Sequence, residues 1–130
     1  MPYSFSVKSL NLLNHPKFSP TLRLLMIEAI KDTPIDFTVL ETVRTLEKQK
    51  EYYAKGTTKT LKSRHIPDTN ASGYSEAADI APYPVNYQDI ERFKKLSEHI
   101  KKKANQLGIP ITWGGDWKSL VDMPHYELKR

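Results

Sequence analysis

The sequence predicts an α+β fold in which helices pack around a small antiparallel sheet. Short segments of alternating apolar and polar residues are interspersed with longer segments whose apolar residues recur at helical spacing. The chain has 130 residues, of which 38% are hydrophobic and 27% charged, a composition typical of a globular domain. Nine prolines favour short elements joined by loops. We therefore expect a single domain spanning residues 1–130.

The predicted helices begin at side chains that can cap free amide groups and end at helix-breaking residues. In the first of them, Pro20 occupies a position where its missing N–H is not needed. In the longest, apolar residues follow a spacing of three and four from Ile90 to Leu107. Three helices are predicted in this way, and their caps and terminating residues are Ser19 to Asp32-Thr33-Pro34, Thr45 to Gly56, and Asn86 to Gly108.

The remaining apolar segments are short and predict strands. Residues 37–43 alternate between apolar and polar side chains, which is typical of a half-buried strand. Residues 76–81 are apolar and are followed by prolines, which favours a central strand. Residues 109–113 and 124–128 are the predicted closing strands, and residues 57–75 are predicted to form a long loop.

Charge and residue usage exclude several classes of function. Twenty Lys and Arg against 15 Asp and Glu give a net charge of +5, which favours an anionic partner such as nucleic acid, an anionic lipid surface or an acidic cell-wall polymer. The absence of cysteine excludes disulfides, thiolate zinc sites, iron–sulfur clusters and cysteine nucleophiles. No segment approaches the ~20 apolar residues of a membrane span, so we expect no stable membrane association.

Two of the four histidines lie in surroundings that favour chemistry. His65 and His125 each lie in a polar loop or at a strand end with a carboxylate nearby in sequence, whereas His15 and His99 are expected to be structural or surface residues. Asp79 interrupts an otherwise apolar strand, and a carboxylate there is costly unless it is paired or bound to a cation.

Two imidazoles and one carboxylate suit zinc, because three protein ligands leave one tetrahedral position open for catalysis. Such a site also needs a carboxylate that is not a ligand and that moves protons. Asp122 is the candidate, since Pro124 stiffens its connection to His125. The wide spacing of these residues does not by itself distinguish a metal site from ordinary polar residues.

Four ordered motifs make the interpretation specific. They are Ser63-Arg64-His65, Ala77-Ala78-Asp79-Ile80, Trp113-Gly114-Gly115-Asp116-Trp117 and Asp122-Met123-Pro124-His125-Tyr126-Glu127. Together they resemble the signatures of the zinc D-alanyl-D-alanine carboxypeptidase and L-alanyl-D-glutamate peptidase family, and most closely those of bacteriophage endolysins. Arg44-Thr45 with Gln49 resembles a further segment of that family, and the likeness extends over nearly the whole chain from about residue 19.

The resemblance implies a fold of the D-Ala-D-Ala metallopeptidase type and assigns roles to individual residues. It makes His65, Asp79 and His125 the zinc ligands and Asp122 the general base. Arg44 resembles the arginine that contacts substrate or stabilises the oxyanion, and the alternative for it is an ion pair with Glu41 or Glu47. The resemblance leaves four further residues with supporting or substrate-binding roles: Ser63 in the loop that presents His65, Trp113 and Trp117 in either the cleft or the core, and Glu127 as either a partner of a ligand or a solvent-facing residue.

One departure from the family concerns the spacing of the first two ligands. Thirteen residues separate His65 from Asp79, which is more than the family usually has, and Ser75 stands where the family has glycine. The turn-forming residues 67–73 are expected to loop out without moving either ligand, because the cost of closing a loop grows slowly with its length.

The predicted function is hydrolysis of the L-alanyl-D-glutamate bond in the stem peptide of peptidoglycan, by a monomeric, zinc-dependent endolysin. Residues 1–8 lack the features of a signal peptide, so we expect the protein to reside in the bacterial host cytoplasm until a separate protein permeabilises the membrane. One alternative is cleavage of a D-alanyl-D-alanine bond. Another is a non-enzymatic, basic nucleic-acid-binding module that uses the lysines around residues 101–103. That module is disfavoured because no nucleic-acid-binding motif accompanies those lysines, and we expect no nucleic-acid partner.

Overall fold

The computed structural model describes residues 3–56 and 63–130. Within them it contains four helices and a four-stranded sheet, together with short 3₁₀ turns at Pro67–Thr69 and Gly114–Asp116. In chain order the elements are α1 (Val7–Leu13), α2 (Pro20–Lys31), β1 (Phe37–Glu41), α3 (Leu46–Ala54), β2 (Ala77–Pro82), α4 (Ile90–Leu107), β3 (Ile111–Trp113) and β4 (His125–Leu128). The predicted α+β class is confirmed.

The sheet is antiparallel throughout and has the strand order β1-β2-β4-β3. β2 therefore lies at the centre, between β1 and β4. The register of β2 against β4 places Asp79 directly opposite His125. Two residues that are 46 positions apart in the chain thus become cross-strand neighbours.

The two faces of the sheet have different roles. Ala78 and Ile80 of β2 and Tyr126 of β4 belong to the buried core that the sheet shares with α2 and α4. Because side chains alternate across a strand, Asp79 of β2 and His125 of β4 point to the opposite face. One face of the sheet therefore packs into the core, which holds the strands in place, and the opposite face of the sheet carries the polar side chains of Asp79 and His125.

The capping residues predicted for two helices are confirmed. The hydroxyl of Ser19 accepts a hydrogen bond from the Leu22 amide at the start of α2, and the Thr45 hydroxyl accepts one from Lys48 at the start of α3. Gly108 ends α4 in the left-handed conformation, with φ of 72°.

The cap predicted for α4 is wrong. Asp89, rather than Asn86, accepts the hydrogen bond from the Arg92 amide. The Asn86 side chain accepts instead from the amide of Gln88, in the turn that precedes the helix. Both residue types stabilise free amides, and the intervening turn decides which of them begins the helix.

Helix α1 was not predicted. Ser6 caps it by accepting from the amide of Ser9. The Ser9 hydroxyl is buried against β1, where it lies 3.0 Å from the Thr38 hydroxyl and accepts from the Val39 amide at 3.0 Å. The bond to Val39 spans 30 residues of the chain, so the local pattern does not contain it.

The predicted strand over residues 37–43 ends earlier, at Glu41. The pairing of β1 with β2 shifts register between Val39 and Glu41, and the carbonyl of Thr42 accepts hydrogen bonds from side chains instead. The predicted loop at residues 57–75 falls partly outside the described residues, because residues 57–62 are not among them. In the described parts of the chain, no helix is long and apolar enough to cross a membrane.

Candidate metal centre and active site

Three predicted ligands converge at the polar face of the sheet. One ligand atom from each of His65, Asp79 and His125 lies within 4.8 Å of the other two. His65 Nε2 is 3.1 Å from Asp79 Oδ1, and His125 Nδ1 is 3.2 Å from the same oxygen. Both histidines are buried, and Asp79 is partly exposed.

These separations fit a single metal ion. Two ligand atoms that each lie ~2.0–2.1 Å from one tetrahedral ion are roughly 3.3 Å apart. The two His–Asp distances of 3.1 and 3.2 Å are close to that value. The three groups therefore have the identity and the spacing that a metal ion needs, without rearrangement of the strands.

The imidazole of His65 is oriented by the chain next to β1. Its Nδ1–H points to the Thr42 carbonyl at 2.9 Å, which leaves Nε2 free to bind a metal. The Ser63 hydroxyl accepts a hydrogen bond from the His65 amide at 3.2 Å. Ser75 also donates to the Thr42 carbonyl, at 2.6 Å, so the residue in the place of the family's glycine holds the same acceptor.

The imidazole of His125 is oriented by a carboxylate. Its Nε2 lies 2.7 Å from Glu127 Oε1, and this bond leaves Nδ1 facing Asp79. Glu127 lies two residues further along β4 and therefore on the same face of the sheet. A carboxylate that accepts from a ligating histidine fixes both its tautomer and its orientation.

The charges at this face perturb one another strongly. Burial alone would raise the pKa of Asp79, but hydrogen bonds with His125 and His65 hold it well below its usual range. Burial lowers the pKa of His125, yet its bonds with Asp79 and Glu127 raise it to about 9. The face is therefore built to hold positive charge between carboxylates, which a bound cation also satisfies.

Asp122 lies beside this cluster without belonging to it. Its amide donates to the Gly114 carbonyl at 3.1 Å, and its own carbonyl accepts from the His125 amide at 3.2 Å. Burial, followed by the negative charge of Asp79, raises the pKa of the Asp122 carboxyl. A raised pKa suits a carboxylate that accepts and later returns a proton near neutral pH.

Arg44 is held in a fixed position next to the site. Its guanidinium forms an ion pair with Glu41 and donates to Gln49 Oε1 at 2.8 Å, and it lies 4.9 Å from the centre of the Tyr52 ring. The alternative of an ion pair with Glu41 is thus present in the structure. The Arg44 amide also donates to the His65 carbonyl at 3.0 Å, which ties this residue to the first ligand.

The two tryptophans occupy different environments. The Trp117 ring lies 5.2 Å from the His125 ring, at the edge of the metal cluster. Trp113 is 6% exposed, stacks on Tyr126 and donates its indole N–H to the Met123 carbonyl at 2.6 Å. Trp117 therefore lies beside the predicted ligands, whereas Trp113 supports the segment that follows Asp122.

The histidines expected to be structural lie away from this cluster. His99 Nε2 is 2.8 Å from the Ala29 carbonyl, and His15 Nδ1 accepts a hydrogen bond from the Lys17 amide. The basic residues of α4 are partly engaged in ion pairs, since Lys101 pairs with Asp116 and Lys103 with Asp32.

Sequence reasoning gave no role to three groups that shape the site. These are the Thr42 carbonyl that orients His65, Gly114 in the turn under Asp122, and the side chain of Arg64. Arg64 and Gly114 lie within the motifs that carry the family resemblance, and this membership was the only indication in the sequence that they matter. The Thr42 carbonyl has no such indication, because every residue has a backbone carbonyl.

Two imidazoles and one carboxylate around a single point, with a second, partly buried carboxylate beside them, are the parts of a hydrolase that uses a metal ion. Comparison with known proteins identifies this hydrolase more closely. The chain belongs to the phage L-alanyl-D-glutamate peptidase family, whose sequence model matches residues 1–130. The peptidase function predicted from the motifs is confirmed at this level.

Individual relatives agree with the family assignment. The chain is 30% identical over 117 residues to an L-alanyl-D-glutamate peptidase of Escherichia phage T5, an alignment that covers 85% of this chain and 80% of that one. It is 29% identical over 129 residues to an L-alanyl-D-glutamate peptidase of Listeria phage A118, covering 97% of this chain but only 41% of the longer relative. The crystal structure of the Serratia marcescens L-Ala D-Glu endopeptidase ChiX superposes with a TM-score of 0.72 at 27% identity, covering 97% of this chain and 90% of that one.

Proposed function

We propose that the chain is a zinc-dependent endolysin that hydrolyses the L-alanyl-D-glutamate bond of peptidoglycan stem peptides. The observation that carries the proposal is the convergence of His65 Nε2, His125 Nδ1 and Asp79 Oδ1 in a chain of this peptidase family. Two imidazoles and a carboxylate are a ligand set that zinc accepts in catalytic sites.

His65, Asp79 and His125 would hold the ion. When bound, zinc supplies Lewis acidity, which polarises the scissile carbonyl and makes water a stronger acid. The protein's contribution is to fix the geometry of the ligands, through the Thr42 carbonyl for His65 and Glu127 for His125.

Asp122 moves the proton. Hydrolysis adds the oxygen of water to the carbonyl carbon, breaks the bond to nitrogen and leaves a carboxylic acid and an amine; the acid then loses its proton to solvent and becomes a carboxylate. The carboxylate of Asp122 takes a proton from the attacking water and gives it to the nitrogen as that bond breaks. Its raised pKa, caused by burial and by Asp79, favours this exchange near neutral pH.

Arg44 stabilises negative charge on the carbonyl oxygen. Its guanidinium is fixed by Glu41 and Gln49, so little reorientation is needed when charge develops. Trp117, beside His125, lines the cleft that accepts the stem peptide.

The proposed substrate also indicates where the protein acts and what it binds. In this proposal the chain acts as a monomer on the cell wall, after a separate protein has released it from the host cytoplasm. The net charge of +5 favours approach to an anionic wall.

The test is digestion of purified peptidoglycan with identification of the new termini by mass spectrometry. We expect new L-alanine carboxyl and D-glutamate amino termini, loss of activity with a chelator, and recovery with zinc. New D-alanine carboxyl termini would instead assign the D-alanyl-D-alanine bond. Intact walls together with salt-sensitive DNA binding would support the nucleic-acid-binding alternative.

Replacement of Asp122 tests its role separately from metal binding. Asp122→Asn keeps the size of the side chain but removes the proton acceptor, so we expect zinc content to persist and turnover to fall by ~10²–10⁴-fold. Turnover that stays near that of the unaltered enzyme would remove Asp122 from the role of base.

A further inference from the structure

The side chain of Arg64 connects the three segments that carry the predicted metal ligands. It precedes His65 in the chain, and its guanidinium reaches both β4 and Glu76, the residue immediately before β2. Nη1 donates to Glu127 Oε2 at 2.9 Å, whereas Nη2 donates to Glu76 Oε1 at 2.7 Å and to the Leu128 carbonyl at 2.7 Å. The side chain is 17% exposed, so these bonds are largely shielded from water.

Glu127 stands between Arg64 and a ligand. One of its carboxylate oxygens accepts from His125 Nε2 at 2.7 Å, and the other accepts from Arg64 Nη1 at 2.9 Å. A carboxylate held on both oxygens has one orientation, whereas a carboxylate held only by His125 can rotate. The guanidinium therefore limits how the His125 ring is presented.

Glu76 gives Arg64 a second anchor at the start of β2. The Arg64 Nε and Nη2 atoms both donate to Glu76 Oε1, and the Glu76 amide donates back to the Arg64 carbonyl at 2.8 Å. The Leu128 amide donates to the Glu76 carbonyl at 3.0 Å, which joins this anchor to β4.

The segment between His65 and Asp79 returns to the same residue. Asn70 donates through Nδ2 to the carbonyls of Arg64 and Tyr74, both at 2.8 Å. Thirteen residues separate the two proposed ligands. This segment starts next to Arg64, and its hydrogen bonds to the Arg64 carbonyl bring it back to the same residue.

We propose that Arg64 is a positioning residue of the metal centre, which holds Glu127 against His125 and fastens the His65 segment to strands β2 and β4. This inference rests on the proposed metal-dependent function. In this role Arg64 acts through Glu127 and through the His65 segment, and it touches neither the ion nor the substrate.

The test compares zinc affinity, measured by competition with a chromophoric chelator, in the full-length protein and its variants. Arg64→Met removes the charge and the donors, whereas Arg64→Lys keeps the charge and N–H donors on a single nitrogen. The loss of an outer partner of a metal ligand costs ~10–100-fold in metal affinity. We expect a loss of this size in Arg64→Met and partial recovery in Arg64→Lys, because lysine cannot reproduce the forked geometry.

A control variant and a second measurement, the visible spectrum of the cobalt-substituted protein, distinguish positioning of the ligands from general stability. Arg23→Met is the matched control, since Arg23 is another partly buried arginine that donates to backbone carbonyls, those of Leu13 and His15, away from the site. We expect it to keep the unaltered protein's zinc affinity and the visible spectrum of its cobalt-substituted form. We expect the cobalt spectrum to change in Arg64→Met and to be restored in part by Arg64→Lys.

The pairing with Glu127 gives the decisive comparison. If Arg64 acts in part through Glu127, the double variant Arg64→Met/Glu127→Gln loses less zinc affinity than the sum of the losses in the two single variants. Unchanged affinity and cobalt spectrum in folded Arg64→Met, or additive losses in the double variant, would overturn the proposal. Should Arg64→Met fail to fold, the same comparisons are made with Arg64→Lys. Failure of the unaltered protein to bind zinc would count against the proposed function instead.

Discussion

Gly114 is predicted to be required for space rather than for backbone conformation, and its replacement should damage the active site. A Cβ atom added at Gly114 would lie 2.3 Å from the Asp122 carbonyl oxygen and 3.1 Å from His125 Cβ. The obstacle at 2.3 Å is backbone, which cannot rotate away as a flexible side chain can. Gly114→Ala therefore pushes on the short segment that carries both the proposed base and a proposed ligand.

The size of the displacement follows from the distance. The Asp122 carbonyl must move by at least about 0.7 Å before the separation reaches 3.0 Å, below which such contacts are essentially never found. Inserting a methylene into a packed site costs ~1–3 kcal/mol of stability. A misplacement of about 1 Å in an active site can cost ~10²-fold in rate. We expect both losses in Gly114→Ala.

Gly108→Ala provides a control of similar stability cost. Gly108 has φ of 72° and nothing within 4 Å of an added Cβ, so its replacement strains the end of α4 without touching the site. The conformational penalty for a side chain there is ~1–2 kcal/mol. Chemical denaturation gives the stability of each variant, and digestion of peptidoglycan gives the rate. If the two variants lose the same amount of stability and also the same amount of activity, the reasoning is refuted.

Three further predictions concern charge at the site. Arg44→Met should retain zinc but lose ~10²–10³-fold in turnover, because one fixed donor to the developing oxyanion is removed; steady-state kinetics check this, and normal kinetics would leave Arg44 only its ion pair with Glu41. Burial lowers the pKa of His125 but hydrogen bonds with its carboxylate partners raise it to about 9, so zinc binding at pH 7 should release about one proton from this ring. Calorimetric titration in buffers of different ionisation enthalpy measures that proton, and a value near zero would contradict the assignment. In the metal-free chain the same raised pKa stabilises the fold fully below the usual value of 6.5, and this stabilisation is lost as the pH rises through about 9.

The elements that the sequence predicted correctly are those governed by neighbouring residues. Helices α2 and α3 are examples. Each begins after a capping hydroxyl, that of Ser19 or Thr45, and each ends at helix-breaking residues that are visible in the sequence. The long helix α4 ends at a glycine in the left-handed conformation, which local chemistry also specifies. Helix α1 also has a local cap, Ser6, but the partner of its buried Ser9 lies on strand β1, 30 residues later, and the local pattern does not contain that contact.

The candidate site was predictable only because its residues fall in ordered motifs. Spacing along the chain gave no reason to join Asp79 to His125, and the register of β2 against β4 supplies that reason only once the strands are paired. The adjacent residues Gly114 and Gly115 are a pair typical of a turn. The structure adds that each is needed for close approach, since a Cβ at Gly115 would lie 2.2 Å from the Trp113 ring and one at Gly114 would meet Asp122.

The unusual separation of His65 from Asp79 is compatible with their meeting, because His65 is also held by residues that come far earlier in the chain. Its ring is held by the Thr42 carbonyl at 2.9 Å, and its own carbonyl accepts from the Arg44 amide at 3.0 Å. Both contacts are made to the connection between β1 and α3, far earlier in the chain. Each doubling of a loop's length adds only about 0.6 kcal/mol to its closure cost, so the extra residues cost little once both ends are fixed. The distance between two ligands in a sequence motif is thus a poor guide to whether they meet, when each is fastened to a different part of the sheet.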